Sequence, residues 1–195
     1  TLTGSDHSLA WLVDLASHWQ WLFLGGLVVF GALAAHQGKL WMLMFLGAPL
    51  PWFTALAQAP VETSRETVVS VASANVGLGS REPGVLATWL AAQQIDLVAL
   101  CEVSPAYAQA LQSLPGFPHR HVAPRHGPFG LALLSRHPLV GPEVIEDSDG
   151  IPRIRVTVLL GQRPITVTGV HPMPPIAAAY HWSRNEQLRL AAKES

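Results

Sequence analysis

Polar and apolar positions change character near residue 60. Before it, residues 19–35 (WQWLFLGGLVVFGALAA) and 40–58 (LWMLMFLGAPLPWFTALAQ) are apolar stretches without a charge. Each is close to the roughly 20 residues that cross a bilayer core of about 30 Å. The short segment 36–39 (HQGK) between them predicts an antiparallel helical hairpin. Trp19, Trp21, Trp41 and Trp52 fall near the ends of the two stretches, where indoles favour the headgroup layer. Pro49 and Pro51 would break a soluble helix but are tolerated in a membrane one. Residues 7–18 place Leu9, Leu12, Val13 and Ala16 at helical spacing and predict an interfacial helix leading into the first span. The competing picture is a buried soluble hairpin, and two successive charge-free stretches weigh against it. Residues 61–66 form a linker.

Beyond the linker the pattern alternates between strand and helix. Residues 67–74 (TVVSVASA) are β-rich and lead into Asn75 and a loop with Gly77 and Gly79. Residues 80–94 predict an amphipathic helix, with Ser80 as N-cap, Pro83 in the first turn, and Val85, Leu86, Trp89 and Leu90 on one face. Residues 96–101 (DLVALC) are a continuous apolar run of the kind found in a strand covered on both faces, ending at Glu102. Ser104 and Pro105 supply an N-cap and N1 pair for a helix carrying Tyr107, Ala108, Leu111 and Leu114. Strands separated by Gly and Pro punctuation follow at 120–123, 129–135, 144–146, 153–160 and 165–170. His171 stands at the end of the last, before the proline-rich segment 172–175, and a final helix runs over 184–193.

Composition sharpens this division. Of 25 charged residues only Asp6, Asp14 and Lys39 precede residue 61. Charged residues are 13% of the 195-residue chain and hydrophobic ones 49%, which excludes a disordered chain and points to lipid contact. Twelve basic against thirteen acidic residues leave a net charge of -1, so no global basic field draws the protein to nucleic acid. Near-neutral charge also argues against tight binding to long duplex DNA. Cys101 is the only cysteine, which excludes a disulfide framework and any multi-cysteine metal site. Lys39, the basic residue at the hairpin turn, places that turn in the cytoplasm and the region after residue 60 outside it. The chain begins at Thr1 and ends inside a predicted helix, and it reads as a piece of a longer protein.

Three polar residues stand at predicted strand ends: Asn75, Glu102 and His171. Ligands of α/β folds sit where strands run out into loops. A carboxylate there can hold a hard cation such as Mg²⁺, an amide can orient it, and a histidine can contact or protonate a phosphoryl oxygen. On spacing alone the alternative stands open, with Asn75 a turn residue, Glu102 a solvated strand end and His171 a strand terminator. His119, His121 and His126 formally permit zinc but lack a third ligand at a recognisable spacing, and they read as exposed edge histidines. His137 reads as a strand end and His181 as loop.

The strings VVSVASANVG, DLVALCEV, GPFGLALLSRHPL, ITVTGVHPMPP and SRNEQL, in that order over about residues 67–192, resemble the endonuclease/exonuclease/phosphatase family. The similarity is greatest to bacterial members with a hydrophobic membrane segment ahead of the catalytic domain. The resemblance implies an α/β (α+β) four-layer sandwich of two mixed β-sheets with helices outside, of which residues 67–195 are the N-terminal part, behind a membrane region at 1–60. It further implies hydrolysis of a phosphodiester or phosphomonoester by a metal-activated water. In these terms Glu102 matches the metal-binding glutamate, with Mg²⁺ as cofactor and Mn²⁺ as substitute. Asn75 matches the asparagine beside it, catalytic and metal-site at once, and His171 the histidine that contacts the scissile phosphate. Arg184 and Asn185 read as structural. The family's later Gly-Asp-x-Asn and Ser-Asp-His motifs do not occur in this sequence; Asp149 is followed by Gly150. The expectation is therefore a membrane-anchored phosphoesterase of the bacterial inner membrane, its catalytic domain extracytoplasmic, inactive as this piece alone. Its partners would be the lipid bilayer and a phosphate-ester substrate (nucleic acid, phospholipid headgroup or small phosphorylated molecule), with no protein partner. The alternative is a catalytically silent membrane-tethered binding module on the same fold.

Overall fold

The computed structural model describes residues 11–12, 19–34 and 69–194. The chain divides into two units, one of Thr1–Arg65 with Pro175–Ala178 and one of Glu66–Pro174 with Ala179–Ser195. In the first, α1 (Gln20–Ala34) carries no charge and exposes Trp21, Leu22, Phe23, Val28, Val29 and Phe30. Apart from Gln20 every residue of the helix is apolar or glycine, so it has no polar face to turn to water. Its 15 residues reach about 22 Å at 1.5 Å each, short of a bilayer core. Among the described residues no helix is long and apolar enough to cross a membrane. Over the stretch 19–35, predicted as a membrane span, the described residues form a helix too short to count as one. The span predicted over 40–58, the linker 61–66 and all of the interfacial helix but residues 11–12 lie outside the described residues.

The second unit contains β1 (Val71–Asn75), α2 (Gly84–Gln93), β2 (Leu97–Cys101), α3 (Pro105–Leu111), β3 (His119–Ala123), β4 (Leu131–Ser135), β5 (Leu139–Glu146), β6 (Pro152–Leu160), β7 (Arg163–Val170) and, from its second residue on, α4 (Ala178–Lys193). One sheet has the order β1-β2-β4-β3 and the other β5-β6-β7. β1 and β2 are parallel because α2 carries the chain back between them; the other pairs are antiparallel. The first sheet is therefore mixed, as expected. The described strands of the second are not, since the short connections between β5, β6 and β7 permit only antiparallel pairing.

Alternation along β2 and β4 divides the core in two. Val98, Leu100, Ala132 and Leu134 face outward to Leu90 of α2 and to Tyr107 and Leu111 of α3. Leu97, Cys101, Leu131 and Leu133 face inward to Ile154, Val156 and Val158 of β6. Both faces of β2 are covered, which is why its sequence is a continuous apolar run. Arg153 lies on the face of β6 opposite Ile154, and its guanidinium binds Glu194 through Nε (2.8 Å) and Nη2 (2.5 Å), so the end of α4 reaches the outer face of the second sheet. Helix, sheet, sheet and helix follow one another.

Several boundaries differ from expectation. α2 begins at Gly84 with Pro83 at its N-cap, because the Ser80 hydroxyl donates to the Val76 carbonyl instead of capping. β5 is longer than 144–146: Gly141, at φ 59°, sits in a bulge between Val140 and Glu143 that lets pairing continue through the Gly-Pro punctuation. α4 begins before residue 184, which puts His181 in a helix and fully buried, not in a loop. The Ser104 cap is as expected, accepting from Tyr107 N at 3.2 Å with Pro105 behind it. At the other end of α3, Arg120 from β3 donates to the carbonyls of Leu111, Gln112, Leu114 and Phe117, closing the turn that the helix end leaves open.

Candidate functional site

Parallel pairing of β1 with β2 sets Asn75 opposite Cys101, so both strands release their chains at the same edge. Val76 N extends the ladder one step by donating to Cys101 O at 3.0 Å. Glu102 then leaves β2 at φ 63°, a left-handed conformation that costs a residue with a side chain about 1 kcal/mol. The following segment holds it there. Val103 is fully buried, Val103 N donates to Gly130 O at 3.0 Å, Arg125 N donates to Val103 O at 3.1 Å, and the α3 cap begins at Ser104. Gly130 makes this possible, because a Cβ there would lie 2.0 Å from Val103 O. Backbone strain at a polar residue on a strand end is typical of a functional position.

The reversal brings the Glu102 carboxylate into the loop after β1. Asn75 Nδ2 donates to Glu102 Oε1 at 2.6 Å, and Leu78 N donates to Oε2 at 3.2 Å. Gly77 N donates to Asn75 Oδ1 at 2.9 Å, which fixes the amide orientation and turns its nitrogen to the carboxylate. Each carboxylate oxygen keeps lone-pair capacity beyond its one donor, and the side chain remains 22% exposed. His171, the first residue after β7, comes from the other sheet. Its Nε2 lies 3.7 Å from Glu102 Oε1, and its ring stands 5.9 Å from that of Phe129, tilted by 49°. Cys101 Sγ approaches Val170 O at 3.8 Å, so the strand ends that carry Glu102 and His171 touch directly. Burial, with the Glu102 charge adding to it, pushes the Cys101 thiol above its usual range and keeps it a neutral thiol.

All three residues singled out in the sequence therefore meet at one place. Glu102 offers a carboxylate to a cation. Asn75 is arranged to orient that carboxylate, since its own oxygen is already engaged by Gly77. Among the described residues there is no group of three or more His, Cys, Asp or Glu able to cage a metal. A single well-ordered carboxylate, partly open to solvent, suits Mg²⁺, which keeps several waters and takes one or two protein oxygens. It does not suit zinc, which wants three or four nitrogen or sulfur ligands.

The other histidines lie elsewhere. His119 and His121 share the face of β3 that Ala123 turns to the inter-sheet core, and they are half-buried where exposed edge positions were expected. Burial pushes the His121 imidazole below its usual range, and its Nε2 has no hydrogen-bond partner. His137 is at the opposite end of the first sheet, 3.8 Å from Asp96 Oδ1. There burial works against the Asp96 charge, but hydrogen bonds from Ser70 N and Oγ outweigh it and hold the carboxyl below its usual range. Sequence reasoning missed Phe129, Gly130 and the Leu78 N–H. A glycine just ahead of a wholly apolar strand was the available signal for Gly130. A backbone N–H leaves no trace in composition.

No curated protein matches the chain at the level of sequence. Solved structures do resemble it in fold. TDP2 from C. elegans superimposes with a TM-score of 0.55 at 17% identity, covering 89% of this chain and 60% of that one. D. rerio TDP2 complexed with a single strand DNA product does so with a TM-score of 0.54 at 18% identity, covering 64% of this chain and 53% of that one. A humanized D. rerio TDP2 carrying 14 mutations gives 0.55 at 18% identity, covering 64% and 55%. The chain thus spans little more than half the length of these structures. The sequence profile of the Endonuclease/Exonuclease/phosphatase family matches residues 72–195, all but the first residue of the stretch that builds the two sheets and the whole Asn75–Glu102–His171 cluster, and the chain belongs to that family.

Proposed function

We propose that this protein is a divalent-metal-dependent phosphoesterase, with Glu102 holding Mg²⁺, Asn75 orienting the carboxylate and His171 contacting the phosphate. Members of the family are typically hydrolases of phosphate esters and generally use divalent metals. The observation that carries the reading is the meeting of Glu102 and His171 from two different sheets at 3.7 Å, with the carboxylate held by donors on both oxygens. A bound divalent cation supplies positive charge where negative charge grows on a phosphate during displacement. Asn75 and Leu78 N keep the carboxylate in one orientation, so little reorganisation accompanies binding. His171 Nε2 is aimed into the same space, where it can donate to a phosphoryl oxygen. The substrate is a phosphodiester or phosphomonoester, and the DNA product in one structural neighbour supports a nucleic acid among the choices.

Mn²⁺ serves as a paramagnetic probe of the proposed metal position. Adding it to the chain should broaden the amide signals of Asn75, Leu78 and Glu102, and Glu102→Gln should abolish that broadening. Broadening centred instead on Asp147 and Asp149 would overturn the assignment.

We also propose that residues 1–60 tether the protein to a bilayer, hairpin turn inward and catalytic domain outward. Support comes from the charge-free stretches at 19–35 and 40–58 and from the large apolar side chains that α1 exposes. The chain should then enter the detergent-rich phase in a nonionic-detergent partition. Recovery in the aqueous phase sinks the tether and leaves the metal site untouched.

A further inference from the structure

The geometry points to Gln187 as a positioning residue that holds His171 in place; this deepens the phosphoesterase reading and rests on it for its catalytic meaning. His171 leaves the second sheet on a segment with scant means of holding itself. Pro172, Pro174 and Pro175 have no backbone N–H, so Met173 carries the one amide proton between 172 and 175. That proton goes to Gln187 Oε1 at 2.9 Å. Gln187 is buried, and its Nε2 donates to Asp147 Oδ2 at 2.7 Å and to Ser183 Oγ at 3.2 Å. Asp147 is itself fixed, its Oδ1 accepting from Asp149 N at 2.9 Å and Ile151 N at 2.8 Å. A chain of full-strength hydrogen bonds therefore runs from the β5–β6 turn through one side chain of α4 to the residue two beyond His171.

On the other side of His171, Val170 is held in the ladder opposite Arg153. His171 is thus suspended between two anchors, of which only the ladder belongs to regular secondary structure. Asp147, Arg153, His171, Pro172 and Gln187 together line one small cavity beneath the loop, which places the Gln187 tether and the imidazole side by side. A merely structural Gln187, joining α4 to the turn, would affect stability without moving the imidazole.

The test is NMR of the 195-residue chain at one fixed pH, following the His171 ring protons, their nuclear Overhauser contacts with Phe129, and the Leu133 and Ile154 methyl signals as a core reference. Gln187→Met should abolish the His171–Phe129 contacts and shift the ring protons toward free histidine while the core methyls stay put. Unchanged His171 signals would overturn the proposal. Gln187→Glu keeps the acceptor for Met173 but sets a like charge against Asp147, so it should also release the ring. Combining it with Asp147→Asn restores a donor and should bring the contacts back. Should Gln187→Met not fold, this pair decides: retention in the single variant, or no rescue in the double, refutes the tether. In a form of the protein that hydrolyses phosphate esters, Gln187→Met should lower kcat about tenfold at unchanged KM. An unaffected kcat beside an inactive Glu102→Gln would reject the positioning role alone. Full activity in Glu102→Gln would reject the phosphoesterase reading, while the NMR result would still stand.

Discussion

In a form of the protein that hydrolyses phosphate esters, the proposed role of Glu102 predicts that Glu102→Gln lowers Mg²⁺-dependent hydrolysis by on the order of 10³-fold, the loss typical of removing a central electrostatic group from an active site. The substitution keeps size, shape and one carbonyl oxygen but removes the charge proposed to hold the cation. Its structural cost is confined to one mismatch. Oε1 accepts from Asn75 Nδ2 and Oε2 from Leu78 N, so the new NH₂ group must confront one of these donors. Asn75 cannot turn over to relieve it, because its oxygen accepts from Gly77 N. That mismatch costs about 1–2 kcal/mol, so the variant should remain folded at room temperature. Hydrolysis and urea unfolding measured on the same preparations separate the two effects. A Gln variant that turns over at the wild-type rate would place the metal elsewhere.

The largest effect on stability is expected at Gly130. An added Cβ would lie 2.0 Å from Val103 O, 2.8 Å from Arg125 N and 2.8 Å from the Val103 carbonyl carbon. All three are backbone atoms in a segment that also donates Val103 N to Gly130 O. No rotamer can relieve the clash, and the chain must separate there, losing the hydrogen bonds on both sides. Gly130→Ala should therefore destabilise the fold by about 3 kcal/mol or more. Gly127→Ala, with open space around the new methyl, should leave the unfolding midpoint unchanged and serves as the control. The same separation would free Glu102 from its left-handed conformation, so any Gly130→Ala protein that folds should also have lost affinity for Mn²⁺. A Gly130→Ala protein as stable as the Gly127→Ala control would mean that this close approach does not hold the site together.

Much of the local structure was legible from residue order. The continuous apolar run at 96–101 and the Ser104–Pro105 pair marked β2 and the start of α3 because coverage on both faces, and a helix end needing an acceptor, leave direct chemical signatures. Ser80 was legible and misleading: a hydroxyl that suits an N-cap instead donates to a nearby carbonyl, and only the path of the loop decides between these uses. Gly141 likewise reads as a turn in sequence, whereas pairing with β6 absorbs it as a bulge. His181 reads as loop because α4 has no sequence cue at its start, and packing, not periodicity, places it inside the helix.

The sequence by itself determined the alternation of strands and helices, the charge-free stretches at 19–35 and 40–58, and the identity of three polar residues at strand ends. Those properties are local, since each depends on which faces of a short segment are apolar and where a strand must stop. The site is not local. Asn75 reaches Glu102 across 27 positions, and the Cys101–Val170 contact that joins the two strand ends spans 69. Only the parallel register of β1 with β2, the stacking of the second sheet on the first and the glycine-permitted approach of Gly130 to Val103 bring these groups within bonding distance. Such convergence rests on register and packing between distant segments. No residue pattern along one segment encodes it: the family resemblance grouped the three residues, and only the tertiary structure set Asn75, Glu102 and His171 within reach of one another.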